Sequence, residues 1–113
     1  MHYFLIAMDE AALLNKIWDQ LHSVQDPEIH LDIVSLGLVY GVHLKRNEAV
    51  YDVNIDLTLT SPSCPMAPYL FQSIHDAVSI LEGVGTLNVN LVWDPPWSKD
   101  KISREGKMEL GLL

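Results

Sequence analysis

The sequence predicts an α+β fold in two layers, a small three-stranded mixed sheet with helices on one face, in the order α-β-β-α-β-α. Three observations predict it. Tyr51, Val53, Ile55, Leu57 and Leu59 alternate with Asp52, Asn54, Asp56, Thr58 and Thr60, the period of a strand with one apolar and one wet face. Leu38, Tyr40, Val42 and Leu44 alternate in the same way before a polar turn, which makes a hairpin, and Leu87, Val89, Leu91 and Trp93 do so again later. A helical pattern separates the second strand from the third, so the third returns by a crossover. The right-handed rule for such connections lays that helix on the apolar face.

Taken in order, the first seven residues are apolar, too short to span a bilayer, and have no basic region before them. Residues 1–8 are read as a tail, an added edge strand or a partner contact, and residues 9–113 as one domain. Leu13, Leu14, Ile17, Trp18 and Leu21 recur at helical spacing, so the first helix spans about 9–22 and ends before Asp26-Pro27. Lys45-Arg46-Asn47-Glu48 reads as the hairpin tip. Met66, Tyr69, Leu70, Ile74, Ala77, Val78 and Leu81 mark the second helix, with Pro65 as its first residue, Cys64 as its cap and Glu82-Gly83 as its stop. Ser98 is expected to cap a last helix over about 99–110, closed by Gly111.

The 113 residues carry a formal net charge of -8. That balance argues against nucleic acid as a partner, because phosphate binding needs clustered Lys and Arg and the only adjacent basic pair is Lys45-Arg46. The absence of a long apolar run argues against a membrane. One cysteine with no secretory signal excludes an intramolecular disulfide and points to a reducing, cytoplasmic compartment.

That cysteine, Cys64, stands between Pro62-Ser63 and Pro65 where a strand pattern gives way to a helical one. At a helix cap, the dipole and free N–H groups would stabilise a thiolate, the form that attacks electrophiles or binds soft metals. A buried, inert thiol is the competing reading. Asp26-Pro27-Glu28 offers short acidic side chains, which serve either as oxygen ligands or, for Asp26, as the cap of a turn begun by Pro27. No histidine completes a zinc site with Cys64: His75 follows it by eleven residues, about 16 Å along one helix. An iron-sulfur cluster normally takes four thiolates, so a chain with one would have to share any cluster with a second copy, a small thiol or a partner protein. Trp93-Asp94-Pro95-Pro96-Trp97 is expected to leave the sheet as a stiff, extended segment, with its two indoles either anchoring a partner or closing the ends of the core.

Asp26-Pro27-Glu28, Asp32-Ile33-Val34-Ser35-Leu36-Gly37-Leu38-Val39-Tyr40, Thr58-Leu59-Thr60-Ser61-Pro62-Ser63-Cys64-Pro65 and Val92-Trp93-Asp94-Pro95-Pro96-Trp97 together resemble the metal-sulfur cluster biosynthesis family that includes PaaD and SufT. The likeness runs over about 13–111, with four motifs in the same order. It implies a compact α/β domain that helps to mature iron-sulfur proteins, with a reactive cysteine at Cys64 and a functional cluster of Asp26, Glu28, Thr60, Ser61 and Cys64. It also implies a transient iron-sulfur cluster or iron, none of it bound tightly by one chain alone, and assembly proteins and client apoproteins as partners. PaaD itself has a further cysteine-bearing carboxyl-terminal region that does not follow here, so a SufT-like role is expected, and the short amino terminus suggests a bacterial or archaeal source.

The expected role is therefore a non-enzymatic carrier or transfer factor in which Cys64 supplies one ligand. A homodimer would double the thiols. The alternative is an adaptor that binds no metal and links the assembly machinery to clients through Trp93, Asp94, Pro95, Pro96 and Trp97. A thiol redox enzyme is disfavoured because no resolving cysteine accompanies Cys64.

Overall fold

A computed structural model describes residues 9–61 and 65–112. The first helix, α1 (Glu10–Leu21), begins where Asp9 accepts a hydrogen bond from the N–H of Ala11 at 3.0 Å, satisfying one of the donors that a helix start leaves unpaired. Leu13, Ile17 and Leu21 form its buried stripe. Gln20 reaches across to donate to the carbonyl of Ala77, joining the ends of two helices.

The sheet has the order β1-β2-β3, with β1 (Val39–Asn47) antiparallel to β2 (Val50–Leu57) and β2 parallel to β3 (Val84–Leu91). The hairpin closes on Glu48 and Ala49, Glu48 taking a φ of 56°. Lys45 and Arg46 are therefore strand residues paired with Asp52 and Tyr51, and the turn itself lies two residues beyond the expected tip. Arg46 lies 5.9 Å over the Tyr51 ring, an aromatic contact that helps hold it in the strand. Tyr51, Val53, Ile55 and Leu57 are buried, and the opposite face carries His43, Asn54, Asp56, Asn88 and Asn90 towards solvent.

The alternation fails in two places. Thr58, expected on the wet face, is fully buried, because the chain leaves the sheet there and its N–H donates to Leu38. Leu91 and Trp93, expected on the core face, are 40% and 43% exposed, since β3 is an edge strand and the helical layer does not cover its end.

The crossover helix, α2 (Ala67–Ser79), buries Leu70, Ile74 and Val78. It starts two residues later than expected. Met66 is its cap and Pro68 occupies the first turn, where a missing N–H is harmless, while Pro65 stands in the turn before it. The cap expected at position 64 falls instead on Met66, and Cys64 itself lies outside the described residues.

The predicted last helix divides into a 3-10 turn (Lys99–Lys101) and α3 (Arg104–Glu109). Ser103, not Ser98, caps α3 by accepting from Gly106 at 3.0 Å. Gly37 makes the join to the body of the fold. Its φ is +77°, and a methyl group there would overlap the carbonyl of Lys101, so only glycine permits the close approach. The helices and the loop of residues 24–38 cover the apolar face of the sheet in a single core. No helix among the described residues is long and apolar enough to cross a membrane.

Candidate functional site

Three predicted segments converge at the end of the sheet where β1 begins and β2 and β3 finish. Leu57 is the hinge of this arrangement. Its partner across the hairpin is Val39, and its carbonyl accepts from Val92 at 2.9 Å on the parallel side. The chain then runs through Thr58, Leu59, Thr60 and Ser61 towards the cysteine. Thr60 and Ser61 are half-buried in a bend. Cys64, the expected thiolate and metal ligand, lies outside the described residues.

Asp26 is 4% exposed and is used by its own loop. Its carboxylate accepts from the N–H of Glu28 at 2.8 Å and of Ile29 at 3.1 Å, while its carbonyl accepts from His30. This is the turn cap that its position before Pro27 suggested, and it fixes the backbone that carries the exposed Glu28. Asp32 repeats the device one turn later, accepting from Val34 and Ser35 and lying 3.1 Å from His22.

The Trp93 to Trp97 segment is bent, not extended. It turns at Asp94 and Pro95, whose peptide bond is cis. Trp97 packs against the core, and its indole N–H donates to the carbonyl of Leu36 at 2.7 Å. Trp93, Asp94, Pro95 and Pro96 stay exposed. The two indoles thus divide the roles between which the sequence could not choose: Trp97 closes the core and Trp93 presents an aromatic surface.

Sequence reasoning missed the open cleft beside this segment, about 610 Å³ in volume, whose walls include Tyr40, Asp56, Val92, Asp94 and Lys101. Tyr40 organises it. The hairpin register slips between Val39 and Gly41, leaving Tyr40 as the extra residue of a bulge. Its hydroxyl donates to the carbonyl of Pro95 at 2.8 Å, and the Lys101 ammonium lies 5.3 Å over its ring. Desolvation in this corner, partly offset by the Thr58 hydroxyl and reinforced by the negative charge of Asp94, holds the Tyr40 phenol above its ordinary range. Asp56 is bound on its outer side by His43 at 2.9 Å. The sequence signal for the bulge was Gly41 within a strand pattern. Nothing in the spacing connects Lys101 to Tyr40. Among the described residues no three His, Cys, Asp or Glu side chains are grouped to hold a metal ion.

Residues 14–90 match the family model described as iron-sulfur cluster assembly protein. The chain is 42% identical over 103 residues to the Fe-S protein maturation auxiliary factor YitW of Bacillus subtilis, covering 91% of this chain and 98% of that one. It is 43% identical over 89 residues to the Fe-S protein maturation auxiliary factor SufT of Staphylococcus aureus, covering 79% and 98%. A crystal structure of a domain of unknown function, DUF59, from Bacillus anthracis superposes with a TM-score of 0.84 at 41% identity, over 95% of this chain and 99% of that one.

Proposed function

Because the chain belongs to the iron-sulfur cluster assembly protein family, we propose that it is a SufT-like maturation factor for iron-sulfur proteins, working as a carrier through Cys64. The observation that carries this reading is the near full-length match to two maturation auxiliary factors. The carrier mode rests on the composition of the chain, whose one thiol would give a cluster a single soft ligand. A cargo held by one thiolate and by ligands from another molecule is easily released, which suits transfer to an apoprotein. No reaction of its own is needed.

In this reading the bend at Thr60 and Ser61 leads from the end of β2 into the segment whose sequence holds the cysteine. The Asp26 turn holds Glu28 outward as an oxygen group for iron or for a partner. The partners are assembly proteins and client apoproteins in the cytoplasm. The test is anaerobic reconstitution of the wild type and Cys64→Ser, with iron and sulfide counted per chain and the visible absorption recorded. Cysteine-dependent uptake of about half a cluster per chain is expected, since two chains or a chain and a partner share the ligands. Equal uptake by both proteins, or by neither, would sink the carrier mode.

An adaptor role has its own support in the exposed Trp93, which follows the equally open Leu91 at the sheet edge. It is separated from the carrier role by complementation of a deletion strain. An adaptor tolerates Cys64→Ser and fails with Trp93→Ala.

A further inference from the structure

β3 is an edge strand, and its free edge lacks the devices that usually keep such an edge from pairing. The opposite edge has them: β1 carries Lys45 and Arg46 and is interrupted by the bulge at Tyr40. β3 has no charged residue and no proline, and the charges that bracket it in sequence are Glu82 and Asp94. In a chain of net charge -8, this neutral stretch is where two copies can approach without bringing carboxylates together.

The register states which groups the edge presents. Val92 donates to the carbonyl of Leu57 at 2.9 Å, while Thr58, the next residue of that strand, donates the other way, to Leu38. The parallel pairing runs unbroken from Val53 and Leu87 to Leu57 and Leu91. Alternation along β3 therefore turns the backbone groups of Asn88, Asn90 and Val92 to β2, and those of Leu87, Val89 and Leu91 outward. The side chains of these three lie on the helical side of the sheet, where Leu91 remains 40% exposed.

We propose that β3 pairs antiparallel with β3 of a second copy about a two-fold axis at Val89. In that register Leu87 of each copy faces Leu91 of the other, so each outward-facing residue meets another and the pair exchanges both N–H···O bonds. Leu91 is then covered by Leu87 of the second copy. On the wet face Asn88 meets Asn90, two amides that can donate and accept in turn. The charges fall out of register, since Asp94 stands opposite position 84 and Glu82 opposite position 96 of the second copy. One continuous sheet would run through both copies, with the helices of both on the same side. The inference stands apart from the carrier reading, and it gives to a second copy the Leu91 that the adaptor reading offers to another protein.

The test is sedimentation velocity of the full chain, kept reduced, from about 5 µM to 1 mM. A monomer–dimer equilibrium with a Kd on the order of 100 µM is expected, because one strand pair makes a small interface. Leu91→Lys, at an exposed position of the edge, should weaken it about tenfold or more. Ile80→Lys makes the same change of charge at the 74% exposed C-cap of α2, away from the edge, and should alter it by less than about twofold. Thermal unfolding shows that both variants remain folded. In a mixture of isotope-labelled and unlabelled chains, intermolecular contacts between the methyl groups of Leu91 and Leu87 are expected. A chain still monomeric at about 1 mM overturns the inference, as does a dimer weakened equally by both variants or one without the Leu87 to Leu91 contact. A monomer whose Leu87, Val89 and Leu91 amides shift on adding a capped peptide of alternating threonine and valine assigns the edge to another protein's strand and overturns self-pairing. The carrier reading survives each of these results, because Cys64 has no part in the interface.

Discussion

The Tyr40 hydroxyl donates to the Pro95 carbonyl at 2.8 Å, so the bulge that opens β1 is tied to the bend that follows β3. Those two features sit on opposite edge strands, and the bond closes one end of the sheet across β2. Tyr40→Phe keeps the ring under Lys101 and removes this bond together with the hydroxyl's weaker contact with Thr58. It should cost about 1 kcal/mol, read as a lower urea midpoint with an unchanged slope.

The two indoles of the carboxyl-terminal motif should behave differently. Trp97 is packed on the core and bonded to Leu36, so Trp97→Ala should destabilise the fold by about 2–4 kcal/mol. Trp93→Ala should change stability by less than about 1 kcal/mol, because the ring is largely in solvent. Thermal unfolding of the two variants decides between this division and a common structural role.

Thr58 carries the one buried side-chain oxygen without a hydrogen-bond partner among the described residues. Its polar neighbour, the Tyr40 hydroxyl, is too poorly placed for a full hydrogen bond, so the buried Thr58 hydroxyl carries a desolvation cost that the isosteric valine does not. Thr58→Val should leave stability unchanged or raise it by up to about 1 kcal/mol. A marked loss in calorimetry would show that the hydroxyl has a role in the loop leading to Cys64.

Asp52 should govern part of the acid response. The hydroxyl and the backbone N–H of Thr86, with Asn47 and Lys45 adding to them, hold its carboxyl below the ordinary aspartate value. A carboxyl depressed in the folded state binds its proton later than in the unfolded chain. Its contribution is therefore complete above the unfolded value of about 3.9 and fades as pH falls through the lower folded one. Asp52→Asn should flatten the fall in Tm below about pH 4. An unchanged slope would show that the Thr86 contacts do not persist in solution.

How far the sequence carried the structure depended on the range of the forces involved. Tyr51 to Leu57 announced their strand because period two is written locally, and Leu13, Ile17 and Leu21 announced their helix in the same way. Asp26 was legible as a turn cap because its partners, Glu28 and Ile29, are its sequence neighbours. The start of α2 was misplaced because two prolines, Pro65 and Pro68, compete for one role, and the local signal does not rank them. Ser98 and Ser103 posed the same choice at the last helix, where the 3-10 turn intervenes. The bent carriage of Asp94 and Pro95 and the burial of Trp97 depend on Tyr40 and Leu36, more than fifty residues earlier in the chain. The cleft was illegible for that reason: it exists only once four distant segments have met.

The parallel pairing of β2 with β3 also sets an order of assembly. The hairpin closes over two residues, whereas β3 must wait until the cysteine-bearing segment and α2 have been passed, and closing that longer loop costs more chain entropy. During synthesis the thiol therefore emerges while β2 still lacks its second neighbour. Until residues 84–91 dock, β2 keeps one edge unpaired, so a slow crossover prolongs the time in which that edge is open to pairing with another chain.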